Sequence, residues 1–341
     1  MKIEQIKLTD YKVLQNFEID FRTNGGKVLD TIVIAGINGS GKTTILDLIF
    51  NKFNKEFAED QTFKNLFIDD FVDVIFNDDG LELSFTSKYK IVYLKVNEIP
   101  KKEIVIEQIK RYRDMIQDEN EDLTIKETNK KMINGINSIF DGLELKTKFQ
   151  GISKDMNRYI LFENDINENL QFDELSTGEQ QLFLRALNLK MMDLKNSIIL
   201  IDEPEISLHP NWQNHILRVY QNIAKVGNNQ LIIATHSPQI ISSTPNESLR
   251  ILVKEGKDIK VKTFENSYGA EIEEVLQDIM GTKYLRTPEI AEKIEKMWEA
   301  INSKNISLFD ILYDELEDIL DLNDKDLVLA RLQKARVLAQ K

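Results

Sequence analysis

The chain has 341 residues, 42% hydrophobic and 30% charged, which suits about two globular domains or one with insertions. No run approaches the roughly 20 apolar residues that span a bilayer, and the opening MKIEQIKLTD lacks an export pattern, so a cytoplasmic protein with no membrane role is expected. Zero Cys excludes disulfides and Cys-based zinc sites, three His leave little for a His-built metal centre, and a net charge of −13 excludes a bulk basic nucleic-acid-binding domain, though not a local basic patch.

Residues 2–22 alternate apolar and polar in two runs broken around Asp10–Lys12, which predicts an antiparallel strand pair. After the turn signal at 24–26, Leu29–Ala35 is a β-branched run of the kind covered on both sheet faces. A glycine loop and an amphipathic helix follow; strand, loop and helix in that order mark an α/β fold. Strand character returns over 71–95, with Asp78-Asp79-Gly80 as a hairpin turn. From Lys101 to Phe140 the pattern is charged and helical. Ile104, Ile106, Ile109, Tyr112 and Met115 mark one helix, Met132, Ile133, Ile136, Ile139 and Phe140 the next, and the polar Gln117–Glu121 joins them as a helical hairpin.

Strands are expected at Leu143–Phe149 and Tyr159–Phe162, then a helix, the run SIILID at 197–202, another helix, and LIIAT at 231–235. A hairpin follows at Arg250–Lys254 and Ile259–Thr263. The remaining residues look helical and acidic, with Thr287-Pro288-Glu289 as a helix start. The expected organisation is an α/β domain over 1–95 and 145–265, interrupted by the hairpin at 96–144 and followed by a C-terminal acidic helical region at 266–341.

Gly36-Ile37-Asn38-Gly39-Ser40-Gly41-Lys42-Thr43 matches the phosphate-loop pattern in full. Its glycines let backbone N–H groups wrap phosphate oxygens, Lys42 is expected to reach the β- and γ-phosphates, and the Thr43 hydroxyl to ligate Mg²⁺. Gly36, Asn38, Gly39, Ser40, Gly41, Lys42, Thr43 and Thr44 thus form a candidate ATP-binding set, at a helix start whose dipole favours anions. Asn38 could equally be an ordinary turn residue. Ser197–Glu203 is the complement: a buried strand ending in two carboxylates, Asp202 for Mg²⁺ and Glu203 to orient or deprotonate the attacking water. Alone, such a pair could merely cap the next helix. Leu175–Gln180 (LSTGEQ) opens a helix as a second backbone anion site, although Ser176 with Glu179 also reads as a capping box; the two readings are compatible. His236 follows a strand and could contact a γ-phosphate, or be a polar turn residue.

GINGSGKTT, LSTGEQ, SIILIDEPE, SLHP and THS occur in the order and spacing of ABC-type ATPases, which this chain resembles over 1–95 and 145–265. The resemblance implies an α/β ABC-type P-loop NTPase fold with a mixed β-sheet, an inserted helical hairpin and a C-terminal helical appendage. It also implies a head-to-tail homodimer, or a larger dimer-based oligomer, around two Mg-ATP. Carried over by position, Ser176, Thr177, Gly178, Glu179 and Gln180 are the signature presented in trans. Glu203 and His236 are the catalytic carboxylate and the switch histidine, and Ser207, Leu208 and His209 the loop at the dimer seam. The opening KLTDYKVLQNFEIDF is similar to that of the RecF and SMC group, with Lys12 at the basic position that contacts nucleotide there. The glutamine that completes the Mg²⁺ sphere in that family has no clear counterpart; Gln61 is the nearest candidate and Gln150 a weaker one.

With no long coiled-coil arms and no nuclease region after His236, the chain most resembles the compact anti-phage ATPases of Septu and retron systems, the PtuA family. That implies control of a separate nuclease, typically of HNH type, by an ATP-dependent switch. The alternative is a RecF-like repair ATPase that meets DNA through Lys110, Arg111 and Arg113 on the hairpin, although the carboxylates interleaved there suit a mixed solvated face. A transporter's nucleotide-binding subunit fits less well, and a scaffold that binds ATP with little turnover is a non-enzymatic rival.

Overall fold

The computed structural model describes residues 2–57, 72–77, 91–96, 99–143, 145–153, 159–166, 168–282 and 285–339. Gln61, the Asp78–Gly80 turn and residues 81–90 of the stretch expected to be strand-like lie outside the described residues. The chain divides into two compact units, Met1–Val275 and Leu276–Lys341.

In the first unit, β1 (Lys2–Tyr11) and β2 (Leu14–Asp20) form an antiparallel hairpin, and β3 (Thr31–Gly36) enters the glycine loop and α1 (Lys42–Phe57). Next come β4 (Val72–Asn77), β5 (Ile91–Leu94) and the helical hairpin of α2 (Lys102–Asp118) and α3 (Ile125–Asn137). Strands β6 (Thr147–Ile152), β7 (Ile160–Asn164) and β8 (Asn169–Gln171) precede α4 (Thr177–Met191), β9 (Ile198–Asp202), α5 (Pro210–Val226), β10 (Gln230–Thr235) and α6 (Pro238–Ser242). The unit ends with β11 (Leu249–Glu255), β12 (Asp258–Lys262) and the short turn α7 (Ile272–Glu274).

The central sheet has the order β12-β11-β3-β10-β9-β5. All neighbours pair in parallel except the antiparallel edge β11–β12, so the sheet is mixed as expected. Every residue of β9 and β10 is buried, as a strand covered on both faces must be, which is why these runs are continuous Ile, Leu and Ala rather than alternating. Because β3, β10 and β9 are parallel neighbours, the loops that leave their carboxyl ends emerge side by side, where open α/β sheets place their ligand sites. The hairpin β1–β2 belongs to a second antiparallel sheet, order β2-β1-β4, and β6-β7-β8 form a third. Gln230 on β10 ties the first two together: its amide donates to the Ile3 and Leu29 carbonyls at 2.9 and 3.0 Å, and its Oε1 accepts from the Ile3 N–H at 2.7 Å. Ile45, Leu46 and Ile49 of α1 lie fully buried in the same core, each stabilising the fold by about 1.5–3 kcal/mol.

The helical hairpin is built as expected but not on the expected face. α2 buries Val105, Ile109 and Ile116, whereas Ile104 and Met115 are exposed. α2 meets both α3 and α4, through Gly135 against the Tyr112 hydroxyl and through Gln108 Nε2 donating to Asn188 Oδ1 at 3.0 Å. That double contact selects the 105–109–116 stripe. Phe140 and Phe183 of α4 pack with ring centroids 4.6 Å apart, Phe183 and Phe162 of β7 likewise, so an aromatic cluster anchors α4 to the hairpin base and to the third sheet. The strand expected at Leu143–Phe149 begins only at Thr147, because Gly142, at φ 88°, turns the chain first.

In the second unit, α8 (Pro288–Asn302), α9 (Ile306–Glu317) and α10 (Lys325–Ala339) enclose a small core of Met297, Ile301, Phe309, Leu316, Leu327 and Ala330. Pro288 occupies the first turn of α8 as expected, but the Thr287 side chain makes no capping bond. Ile319 is 57% exposed because it lies beyond the end of α9.

Candidate nucleotide site

The glycine loop leaves β3 at Gly36 and closes into α1 at Lys42. Gly39 and Gly41 have φ of 79° and 94°, a region open to glycine at little cost. A Cβ on Gly41 would come within 2.9 Å of Leu14 and 3.4 Å of Val13, so the β1–β2 turn lies directly against the loop. That brings Lys12, in the same turn with φ 53°, to the side of the glycine loop. Gly36 is equally constrained, since a Cβ there would meet the Leu252 carbonyl and Ser40 Oγ at 2.7 Å. Lys42 is buried and donates to the Gly36 and Ile37 carbonyls at 2.7 and 3.2 Å. Burial holds its ammonium below the usual lysine pKa, against the pull of Glu203, Asp202 and Glu205. Asn38 is exposed at the loop tip, and Thr44 lies half-buried in the first turn of α1.

Thr43 Oγ1 donates to Asp202 Oδ2 at 2.9 Å, so the two expected Mg²⁺ ligands, 159 positions apart in sequence, are neighbours. Burial pushes the Asp202 carboxyl above its usual pKa, the Thr43 bond opposes this, and the Glu203 charge adds to it. Asp202 Oδ1 and Ser40 Oγ are buried without a hydrogen-bond partner among the described residues. Two orphaned oxygens, a strained-up carboxyl and a glycine cradle beside a lysine fit a Mg-nucleotide: the phosphates would take the cradle and Lys42, and the cation Thr43 and Asp202.

Beyond β9 the chain turns sharply. Glu203 has φ 47° and Ser207 φ 67°, both unusual for non-glycine residues. The Glu203 N–H donates to the Ala234 carbonyl at 2.8 Å, which locks the turn to β10. His236, at the end of β10, lies with Nδ1 3.0 Å from Glu203 Oε1. The two expected catalytic residues therefore form one hydrogen-bonded pair. Glu205 is a residue that motif reading overlooked. It is buried, and its Oε1 accepts from Thr235 Oγ1 at 2.6 Å, the His236 N–H at 3.0 Å and the Ser237 N–H at 3.1 Å. The only hint was a second acid in DEPE.

Ser176 caps α4 in a reciprocal capping box. Its Oγ accepts from the Glu179 N–H at 3.3 Å, while its N–H and hydroxyl donate to Glu179 Oε2 at 3.0 and 2.7 Å. Glu179 also accepts from Thr147 at 2.9 Å, and the Gln180 amide donates to the Leu175 carbonyl at 2.9 Å, so these two side chains serve the helix start itself. Ser176 and Thr177 are exposed. Gly178 abuts the 207–209 loop expected at a dimer seam: a Cβ there would meet the Ser207 carbonyl at 2.6 Å. Ser176, Gly178, Ser207, Leu208 and His209 line one groove of about 990 Å³. His209 is in addition the N-cap of α5, its Nδ1 accepting from the Asn211 N–H at 3.2 Å.

Gln150 sits on β6 with its amide bonded to Glu163 of β7, a cross-strand pairing. On the hairpin, Lys110 lies 3.5 Å and Arg111 3.9 Å from Glu107, and Arg113 2.6 Å from Asp114, so each cation expected to meet DNA has a carboxylate beside it on the same helix.

Residues 90–242 match the family described as "AAA domain, putative AbiEii toxin, Type IV TA system", a range holding the α4 start, Asp202, Glu203 and His236 but not the glycine loop. The Septu protein PtuA of Bacillus thuringiensis is 26% identical over 237 residues, 64% of this chain and 58% of PtuA, so the chain spans little over half of that relative. The "Retron Ec83 probable ATPase" of Escherichia coli is 32% identical over 105 residues, 28% of this chain and 19% of that protein. Among solved structures, the SMC head domain from Thermotoga maritima is similar, at 18% identity over 78% of this chain and 100% of that one, with a TM-score of 0.46. Over part of its length the chain thus resembles the Septu protein PtuA and a retron probable ATPase.

Proposed function

We propose that this chain is an ATP-binding and ATP-hydrolysing switch, cytoplasmic, acting in a bacterial anti-phage defence complex. The observation that carries the reading is the meeting of three loops at one sheet edge: Thr43 with Asp202 at 2.9 Å and Glu203 with His236 at 3.0 Å. The loop backbone from Gly36 to Gly41, Lys42 and Lys12 would hold ATP; Thr43 and Asp202 would hold Mg²⁺. Bound Mg²⁺ supplies charge neutralisation at the phosphoryl group. Glu203 takes or orients the proton of the attacking water, and His236 fixes the Glu203 carboxylate through Nδ1. The exposed start of α4 and the seam loop share one open groove, which supports a head-to-tail homodimer in which Ser176 and Gly178 meet the partner copy's nucleotide. Closure on binding and release on hydrolysis are the two switch states.

Similarity to a Septu protein and to a retron probable ATPase supports the defence setting; in the proposed complex the controlled subunit is a separate nuclease of HNH type. The intrahelical pairing of Lys110, Arg111 and Arg113 favours a mixed solvated face over direct DNA contact. Glu203→Gln tests the centre. The variant is expected to bind Mg-ATP as the wild type does, to lose turnover by at least about 100-fold, and to accumulate as a dimer in light scattering with Mg-ATP. Hydrolysis at the wild-type rate would remove Glu203 from the chemistry.

A further inference from the structure

The strongest unassigned feature is a chain of buried and part-buried hydrogen bonds between the seam loop and the Glu203–His236 pair. It begins at Leu208, whose carbonyl accepts from Gln213 Nε2 at 3.1 Å. Gln213 Oε1 accepts from the Ser237 hydroxyl at 2.7 Å, and the Ser237 N–H donates to Glu205 Oε1. That same oxygen holds the Thr235 hydroxyl and the His236 N–H, and the Glu205 carbonyl accepts from the Leu208 N–H at 3.0 Å, which closes the circuit. At one end His236 meets Glu203. At the other the Ser207 carbonyl lies against Gly178 at the start of α4.

None of these bonds goes to the glycine loop. Every bond of Glu205 and Gln213 among them goes to the turn that carries His236 or to the seam. Glu205 uses Oε1 for three hydrogen-bond donors and lies 3.6 Å from His236 Nδ1 through the same oxygen, while Oε2 is buried without a hydrogen-bond partner among the described residues. A single-oxygen clamp needs an acceptor at that point, and an amide oxygen would serve as well as a carboxylate.

We propose that Glu205 and Gln213 are positioning residues: Glu205 fixes the His236 turn against Glu203, and Gln213 ties that turn to the seam loop that faces the partner copy. The proposal rests on the ATPase reading above. The seam loop and the hydrolytic pair then move together, since displacing Leu208 pulls on Gln213 and through it on Ser237 and His236.

Four full-length variants test this, by steady-state ATP hydrolysis, Mg-ATP affinity and amide hydrogen exchange on the nucleotide-free protein. Glu205→Ala is expected to lower kcat by about 100-fold, as a 1 Å misplacement does, with nucleotide affinity changed by no more than about twofold. Glu205→Gln, which keeps the acceptor oxygen, is expected to recover most of that loss. Gln213→Ala is expected to lower kcat about tenfold, the scale of a lost pair of hydrogen bonds, and Gln213→Glu, which keeps the acceptor but not the donor, to do the same. The His236 and Ser237 amides should exchange faster in Glu205→Ala than in the wild type or in Glu205→Gln. The proposal is overturned if Glu205→Ala retains wild-type kcat, if Glu205→Gln loses as much as Ala, or if exchange at His236 and Ser237 is unchanged. Should Glu205→Ala fail to fold, unchanged kcat in Gln213→Ala overturns it instead. A wild-type chain that does not hydrolyse ATP defeats the ATPase reading, and the exchange comparison still decides this one.

Discussion

Glu203 sits at φ 47°, where a non-glycine residue costs roughly 1–2 kcal/mol, and Pro204 after it narrows its backbone further. Such strain persists because the Glu203 N–H is held by the Ala234 carbonyl and its carboxylate by His236. Removing the side chain should therefore stabilise the fold while ending the chemistry. Glu203→Gly is expected to raise unfolding free energy by about 1 kcal/mol in a denaturant titration while abolishing turnover; a destabilised variant would show that the turn is not strained. Lys42 acts in the opposite sense. It is buried against backbone carbonyls with its pKa pushed down by burial, so an anion is what would compensate its charge. Lys42→Ala is expected to abolish Mg-ATP binding in calorimetry while leaving thermal stability close to wild type.

At the scale of elements, the α4 start is held by its capping box before any partner is invoked. Ser176→Ala removes an acceptor of the Glu179 N–H and a donor to Glu179, and is expected to cost about 1 kcal/mol, measurable by chemical denaturation. In the second unit, Arg286 bonds Asp324 at 2.8 Å and Asp326 at 2.9 Å. Burial raises the Asp324 pKa, but the Arg286 bond and charge outweigh it and hold the carboxyl below 3.8. A depressed folded pKa means stability that is present above about pH 3.8 and lost as pH falls through the folded value. With Arg286→Met that acid-side loss should shrink, read from Trp298 emission in a Trp212→Phe background; an unchanged acid limb would mean the pair contributes nothing.

For the whole molecule, the paired cations of the hairpin allow a further expectation. Replacing Lys110, Arg111 and Arg113 together with Ala should change stability by less than about 1 kcal/mol and leave ATP affinity unaltered, because intrahelical pairs that are exposed, or half-buried as at Lys110, contribute little. Strong, salt-dependent DNA binding by the wild-type chain, lost in this triple variant, would instead restore the DNA reading. The net charge of −13 is spread unevenly in the same way. Residues 306–324 hold seven carboxylates and no cation, whereas α2 mixes both signs.

Much of the candidate site was legible because the features it is built from are local. A phosphate cradle needs glycines, a lysine and a hydroxyl in one short loop, a capping box needs Ser and Glu three apart, and strands buried on both faces must read as unbroken Ile and Leu; Gly36–Thr43, Ser176–Glu179 and Ile198–Asp202 each show this. The hairpin's helices were legible too, but not which stripe of α2 is buried, because two different neighbours decide it. Glu205, Gln213 and Gln230 stayed silent for the same reason. Each makes a bond to a distant residue, 30, 24 and 227 positions away in turn, and an acid or amide carries no mark of such a partner in its own neighbourhood. The sequence by itself determined the ordered motifs and the α/β alternation, since backbone conformation and periodicity are set by adjacent residues. Only the tertiary structure decided that Thr43 meets Asp202, that His236 meets Glu203 and that Gly178 abuts Ser207, because parallel pairing of β3, β10 and β9 brings those loops to one edge.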